Sequence, residues 1–264
     1  DRDVKGPLYA AAGIADYLSK ASSATDWRVG HALRGGFFSD EPRRLFEGTQ
    51  ERVLCAAQRI GRGEIEAYAT VLDALMLSGY SMVIAGSSSP ASGGEHLISH
   101  YVDMKSALYG TPHDLHGTQV GVATLHCLRL WERILALDAA DIDVDACLAA
   151  QPSEEQIDHW IDEDWGGEVS QEVRAQWREK RLAPEAMRAE IELFRRQLSA
   201  NREAWGKDLL PSTAVEKAIA GAGGPVTPEV MHAPLDVYTK ALERARFIRN
   251  RFTVLDLAAE LTLR

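Results

Sequence analysis

Histidines and acids that could hold a metal ion are concentrated near residue 100 of the sequence. The segment EHLISH places His96 and His100 four positions apart, and His116 follows within HDLHGTQVG. On a helix, side chains at this spacing share one face about 6 Å apart, which suits one metal contact beside a substrate contact. A catalytic zinc or iron site takes three ligands from His, Asp or Glu and leaves one position open. Asp16, His96 and His116 could supply that set.

The same spacing also fits histidines that cap a helix, pack in a core or face solvent. His113, in the pair HDLH, is an alternative to His116 as a ligand. Ser87, Ser88 and Ser89 could act as nucleophiles, but no GxSxG motif accompanies them, which argues against a serine hydrolase. Spacing alone therefore leaves the metal site as a hypothesis.

Composition and charge limit the class of protein. The chain has 264 residues, of which 45% are hydrophobic and 26% are charged, as in globular proteins. A formal charge of −10 argues against nucleic acid or an anionic membrane as the main partner. An anionic small substrate would need a local basic pocket.

Cysteine usage and apolar runs indicate the compartment. The 3 cysteines are odd in number and form no CxxC pair, so a disulfide framework or a thiolate zinc site is not expected. A reducing compartment, the cytoplasm, is expected. The longest apolar run, residues 74–86, is shorter than the about 20 residues that cross a bilayer, so no membrane partner is expected.

Helical patterns dominate the elements that must position these residues, and the predicted class is all-α. A helix over residues 10–22 carries Asp16 and Lys20 one turn apart, and the helix that follows the small-residue loop GSSSPASGG carries His96 and His100. Charged helices are expected over residues 150–210. No GxGxxG turn or phosphate-cradling loop is present. Further helices are expected over residues 41–60, 64–86, from 116 onward, 235–248 and 254–261.

Several ordered motifs resemble one enzyme family. AGIADYLSK, TDW, AGSSSPASGGEHLISHYVDM and HGTQVGVATL, with the closing RFTVLDLAAEL, are similar to the back half of sn-glycerol-1-phosphate dehydrogenases. These enzymes are part of the iron-containing alcohol dehydrogenase and dehydroquinate synthase-like superfamily. The resemblance implies an oxidoreductase of phospholipid metabolism that acts on glycerol 1-phosphate and dihydroxyacetone phosphate with NAD or NADP.

The family pattern also implies roles for individual residues. Asp16, His96 and His116 would be ligands of zinc, or of nickel or iron. His100 would contact the substrate and relay its proton as the catalytic residue, and Asp16 would also face the substrate. Lys20 stands where a contact to the substrate phosphate would be useful.

Some positions depart from the family pattern. Ala15 stands where Gly is often found, and Thr118 follows His-Gly where Glu is usual. Ser89 stands where archaeal relatives often carry Arg, which leaves the preference for a phosphorylated substrate open. Neither Ala15 nor Thr118 removes a ligand.

The nucleotide-binding α/β domain that opens family members has no counterpart in this sequence. Residues 1–264 are therefore predicted to form the C-terminal helical domain of the dehydroquinate synthase-like fold, which binds metal and substrate, with no cofactor-binding residues of its own. The isolated chain is expected to be inactive and to bind NAD(P) weakly. Alternatives are a glycerol dehydrogenase, a dehydroquinate synthase-like enzyme, or a non-catalytic metal- or phosphate-binding module. A homo-oligomer is compatible with the sequence.

Overall fold

Helices make up the regular structure of the chain, and the predicted all-α class is confirmed. The computed structural model describes residues 2–263, with side chains from residue 6 onward, and this part contains no strand. Its helices are α1 (Arg2–Leu18), α2 (Lys20–Arg34), α3 (Glu41–Arg44), α4 (Thr49–Gly61), α5 (Glu66–Ala85), α6 (Gly94–Tyr109), α7 (His116–Ala136), α8 (Val144–Ala149), α9 (Glu154–Asp164), α10 (Gly167–Lys180), α11 (Pro184–Gly206), α12 (Ser212–Gly221), α13 (Leu235–Arg244) and α14 (Val254–Glu260).

The helix predicted over residues 10–22 is broken at Ser19, between α1 and α2. The carbonyl of Asp16 explains the break, because it accepts hydrogen bonds from side chains. Ser19 Oγ donates to it at 2.6 Å, and Lys20 Nζ donates to it at 2.8 Å. Such side-chain bonds compete with the helical ladder. Asp16 therefore lies in the last turn of α1, just before the break at Ser19.

The helix predicted over residues 41–60 is also two helices, α3 and α4. The residue before α4 is Gly48, with φ of 68°. This left-handed conformation favours glycine and interrupts a right-handed helix. The other predicted helices agree with α5, α7, α13 and α14 within a few residues at each end, and the charged stretch forms α9, α10 and α11.

Two glycines on α7 allow α1 to cross it closely. A Cβ at Gly117 would lie 2.2 Å from the carbonyl oxygen of Ala12, and one at Gly121 would lie 2.5 Å from the Cβ of Ala15. Any larger residue at either position would separate the helices. This close crossing brings Asp16, at the end of α1, to the beginning of α7, where His116 lies.

The buried apolar side chains form two clusters on either side of this crossing. One gathers residues of α1, α4, α5 and α12, and the other gathers residues of α6, α7, α9 to α11, α13 and α14. A capping box at Thr253 and Asp256 begins α14. The carboxylate of Asp256 also forms a buried ion pair with Lys180 at 2.8 Å, which ties α14 to α10.

Helix α5 is apolar along most of its length. It is long enough, by length and composition, to cross a membrane, and only 28% of its most apolar window is buried. The apolar run of residues 74–86 is shorter than α5, because the helix already begins at Glu66. Apolar core helices of the same length pass the same test, so this feature alone does not establish a span.

Candidate metal centre

Three predicted ligands converge in the structure. Asp16 from α1, His96 from α6 and His116 from α7 each offer one ligand atom, and these atoms all lie within 4.8 Å of one another. The distance from His96 Nε2 to Asp16 Oδ1 is 3.3 Å. That value is close to the edge of about 3.4 Å in a tetrahedron with bonds of about 2.1 Å. Two imidazoles and one carboxylate form a donor set that suits zinc, nickel or iron.

The ring of His96 is oriented by a carboxylate that contacts its Nδ1. Glu95 Oε1 lies 3.1 Å from His96 Nδ1 and also accepts a hydrogen bond from the backbone N–H of Gly93 at 2.7 Å. Burial alone would lower the pKa of His96, but hydrogen bonds to Asp16 and Glu95 raise it above its usual value. With Nδ1 bound to the acid, Nε2 is the nitrogen that faces Asp16.

The ring of His116 is held in the same manner by a polar network. Its Nδ1 lies 3.0 Å from Ser99 Oγ and 3.3 Å from Asp103 Oδ2. Gln119 donates to both of these partners, at 3.1 Å to Ser99 and 2.7 Å to Asp103. Although burial raises the pKa of Asp103, its hydrogen bonds to His116 and Gln119 bring that pKa below its ordinary value. Nε2 of His116 is thus left for the cluster.

Asp16 is ionised in this setting. Burial alone would raise its pKa, but the ammonium of Lys20 and the hydrogen bond from His96 lower it well below its usual value. Lys20 itself is only 2% exposed, and its Nζ lies 3.5 Å from Asp16 Oδ2. The structure therefore places Lys20 beside the cluster, as a buried partner of Asp16.

His100 completes a triangle of imidazoles. Its ring centre lies 6.1 Å from that of His96 and 5.5 Å from that of His116. Burial, together with the charges of the two neighbouring histidines, lowers the pKa of His100 to about 4. Near neutral pH, His100 is therefore an uncharged imidazole, able to accept a proton.

A cavity of about 460 Å³ opens beside His100. Asp103, Glu168 and Glu172 bring acidic groups to its wall, and Arg249 brings a guanidinium. Within residues 6–263, no ion pair is made by Arg249, which is exposed. The cavity therefore combines a neutral imidazole with one free cation and three acidic side chains.

Other sequence candidates lie at the edge of the cluster or outside it. His113 is 50% exposed and lies 3.4 Å from Asp103 Oδ1, and it is not one of the three convergent residues. Ser88 Oγ accepts a hydrogen bond from Arg251 at 2.8 Å, with no histidine as its partner.

Sequence reasoning overlooked the groups that support the ligands. Ser99 and Asp103 follow His96 by three and seven positions, and helical periodicity alone places them on its face of α6. Gln119 follows His116 by three positions on α7 in the same way. Arg249 carries no such signal, because it comes from a segment more than 100 residues away.

Comparison with curated proteins finds relatives of one kind. A protein from Pyrococcus horikoshii is 42% identical over 117 residues, which cover 44% of this chain and 33% of the relative. Its name is glycerol-1-phosphate dehydrogenase, with NAD(P)+ as the coenzyme. Proteins of the same name from Thermococcus kodakarensis and Caldivirga maquilingensis are 39% identical over 131 residues and 33% identical over 134 residues. These matches cover 48% and 49% of this chain and 36% and 38% of the relatives. No family model matches the chain.

The matches confirm the resemblance to glycerol-1-phosphate dehydrogenases, and these relatives are enzymes. The chain spans only about a third of the length of the curated relatives it matches. The all-α fold is consistent with a helical part of such an enzyme.

Proposed function

We propose that this chain is the metal- and substrate-binding part of an NAD(P)-dependent glycerol-1-phosphate dehydrogenase, and that it works together with a nucleotide-binding domain. The enzyme interconverts glycerol 1-phosphate and dihydroxyacetone phosphate. The observation that carries the proposal is the convergence of Asp16, His96 and His116 within 4.8 Å in a chain similar to these dehydrogenases. The same residues are the ones that the sequence motifs predict.

The three convergent residues would hold the metal. Asp16 contributes a carboxylate, and the two imidazoles are each fixed through Nδ1, by Glu95 in one case and by Ser99 and Asp103 in the other. When bound there, zinc, nickel or iron would act as a Lewis acid that lowers the pKa of the substrate's reacting hydroxyl. One carboxylate with two neutral imidazoles leaves a net positive charge for that task.

His100 has the properties of a proton carrier for this reaction. It lies one turn after His96 on α6, it is neutral because its pKa is about 4, and it lines the cavity beside the cluster. It would contact the substrate hydroxyl and pass its proton toward solvent. A protonated imidazole at this position could not accept that proton.

The phosphate of the substrate would lie in the 460 Å³ cavity. Arg249 is the free cation on its wall, and a guanidinium matches the oxygen pairs of a phosphate. Arg249 therefore supplies the basic group that the acidic chain must provide locally. Lys20, proposed for this contact from its sequence position, would instead act beside Asp16, since its ammonium is already bonded there.

Metal retention tests the ligand set. We expect His96→Ala and His116→Ala to lose tight metal binding, whereas His100→Ala keeps the metal and loses turnover. His126→Ala is the matched control, because His126 is also on α7 but is not one of the convergent residues. Equal metal content in the parent and in all these variants would refute the metal centre.

Turnover tests the substrate. When this chain is joined to a nucleotide-binding domain, the protein should reduce NAD(P)+ far faster with glycerol 1-phosphate than with glycerol. Faster turnover of free glycerol would favour a glycerol dehydrogenase. Metal retention without any turnover would favour a binding module. The cytoplasm is the proposed site of this reaction, which agrees with the free state of Cys55, Cys127 and Cys147.

A further inference from the structure

Helix α5 has its large apolar side chains on the outside. The residues that it buries against the protein are small: Ala67, Val71, Ala74, Ser78 and Ser81. On the opposite face, Leu72 is 60% exposed, Met76 is 50% exposed and Val83 is 78% exposed. A helix at a water-facing surface normally has the reverse arrangement, and one that is apolar all round is covered on all sides. The outer face of α5 therefore has the composition of an interface.

The outer residues follow the repeat of a two-helix seam. Ile65, Ala69, Leu72, Met76, Gly79 and Val83 are spaced by alternating steps of four and three residues. This repeat averages 3.5 residues and keeps one narrow stripe against a partner helix, as in coiled coils. Ile65 has helical backbone angles just before α5, and it is 80% exposed. The stripe is thus continuous over the whole helix.

The seam is self-complementary about its centre. A two-fold axis at residue 74 would pair Ile65 with Val83 and Leu72 with Met76 of an antiparallel copy. The same axis pairs the two smallest members of the seam with each other, Ala69 with Gly79. A Cβ built on Gly79 has nothing within 4 Å, so a side chain from outside can fill that space. Large residues would therefore meet large ones, and the small pair would allow close approach.

The exposed area also favours this partner, and the charged residues of α5 lie outside the seam. The charged residues of α5 are Glu66 and Asp73, and both lie about 80–100° around the helix axis from the centre of the seam. Six large exposed side chains on and beside the seam offer on the order of 700 Å² per copy, close to the about 800 Å² that each partner gives to a standard interface. These side chains are Ile65, Leu72, Met76, Tyr80, Val83 and Ile84.

We propose that a second copy of this chain docks antiparallel along α5, with the seam as the centre of a two-fold dimer. The two Asp73 carboxylates lie near the axis and repel each other weakly across solvent. Added salt screens this repulsion, so association should strengthen between low and moderate ionic strength. The proposal depends on α5 alone and does not require the metal centre.

Sedimentation velocity tests the dimer. The parent chain should sediment as a dimer at micromolar concentration, and Leu72→Glu with Met76→Glu should weaken association by at least about 100-fold, because charges would be buried in the seam. Val230→Glu is the control, since Val230 is 65% exposed and belongs to a short 3-10 turn that packs on α13. Circular dichroism should show unchanged helicity in both variants. A monomeric parent, or a dimer that survives the two glutamates, would overturn the proposal.

Cysteine cross-linking tests the register. In a Cys55→Ser background, which removes the exposed thiol, Leu72→Cys with Met76→Cys should form a disulfide-linked dimer, whereas Leu72→Cys alone should not. A parallel pair would give the opposite result for the single variant and would overturn the antiparallel docking. Binding to phosphatidylcholine vesicles that leaves the parent monomeric would assign the face to lipid, which also overturns it.

Discussion

Glu95 is predicted to increase metal affinity at a cost in stability. It is fully buried beside Asp26, and no hydrogen-bond partner for its Oε2 is found among the described residues. Burial, together with the charge of Glu95, raises the pKa of Asp26 well above its ordinary value. Two acids held together in a dry interior destabilise a fold. The contact of Glu95 to Nδ1 of His96, at 3.1 Å, gives a functional reason for keeping this acid.

Two substitutions separate the effects. Glu95→Gln keeps an oxygen that accepts from Gly93 and His96 but removes the charge, so metal affinity should fall about tenfold. The same change removes the charge that acts on the buried Asp26, so the free energy of unfolding of the metal-free chain should stay unchanged or rise by about 1 kcal/mol. Glu95→Leu removes both contacts, and metal affinity should fall by about 100-fold, or 2.7 kcal/mol.

Competition with a chromophoric chelator at pH 7.5 measures the metal dissociation constant, and urea unfolding of chelator-treated protein measures stability. A role in packing alone would lower stability in the Gln variant. The reasoning is refuted if Glu95→Gln binds metal as tightly as the parent. It is equally refuted if this variant loses more than about 1 kcal/mol of stability in the absence of metal.

Three further predictions concern the fold around the site. Gly121→Ala should weaken metal binding by pushing α1 from α7, and adding Ala15→Gly should restore it, as chelator competition would show. Lys180→Met should lower the free energy of unfolding in urea by about 3–5 kcal/mol, because it leaves the buried carboxylate of Asp256 without its ion-pair partner. Adding Asp256→Asn, which removes the charge but keeps an oxygen for the N–H of Thr253, should recover part of the loss. Burial, together with the charges of two nearby arginines, lowers the pKa of His126 from 6.5 to about 4. The stability that neutral His126 contributes is therefore fully present above pH 6.5 and is lost as the pH falls toward 4. The free energy of unfolding should therefore be lower at pH 4.5 than at pH 7 by at most about 3 kcal/mol, and His126→Gln should abolish this difference.

The candidate ligands lie in segments of the sequence that carry local signals. His96 and His100 share a helix face, and Asp16 precedes Lys20 by one turn, but this spacing left alternatives open. The ordered motifs of the family resemblance selected Asp16, His96 and His116. The class of fold was also predictable, since helical periodicity runs through nearly every segment. The break at Ser19 was not, because it depends on which side chain reaches the carbonyl of Asp16. Helix propensity does not record that competition.

Long-range placement accounts for what the sequence did not predict. Arg249 reaches the cavity beside His100 only because the chain after α13 folds back onto α6 and α10. Lys20 illustrates the opposite case, in which a well-placed cation is already bonded by its own helix turn and by Asp16. Which cation is free to meet a phosphate depends on these partners. Such partners come from tertiary packing, which spacing along the chain does not reveal.

The close crossing of α1 and α7 links the departures from the family pattern to the metal centre. Ala15 is one of the departures expected from the sequence, and its Cβ fits only because Gly121 presents no side chain to it. One added methyl group on α1 is therefore tolerated by a glycine on α7, and the helix separation is kept. Because Asp16 follows Ala15 directly, that separation sets how far the carboxylate lies from His116. The geometry of the three candidate ligands thus depends on a pair of small residues outside the cluster, and a change of one without the other would separate Asp16 from His116.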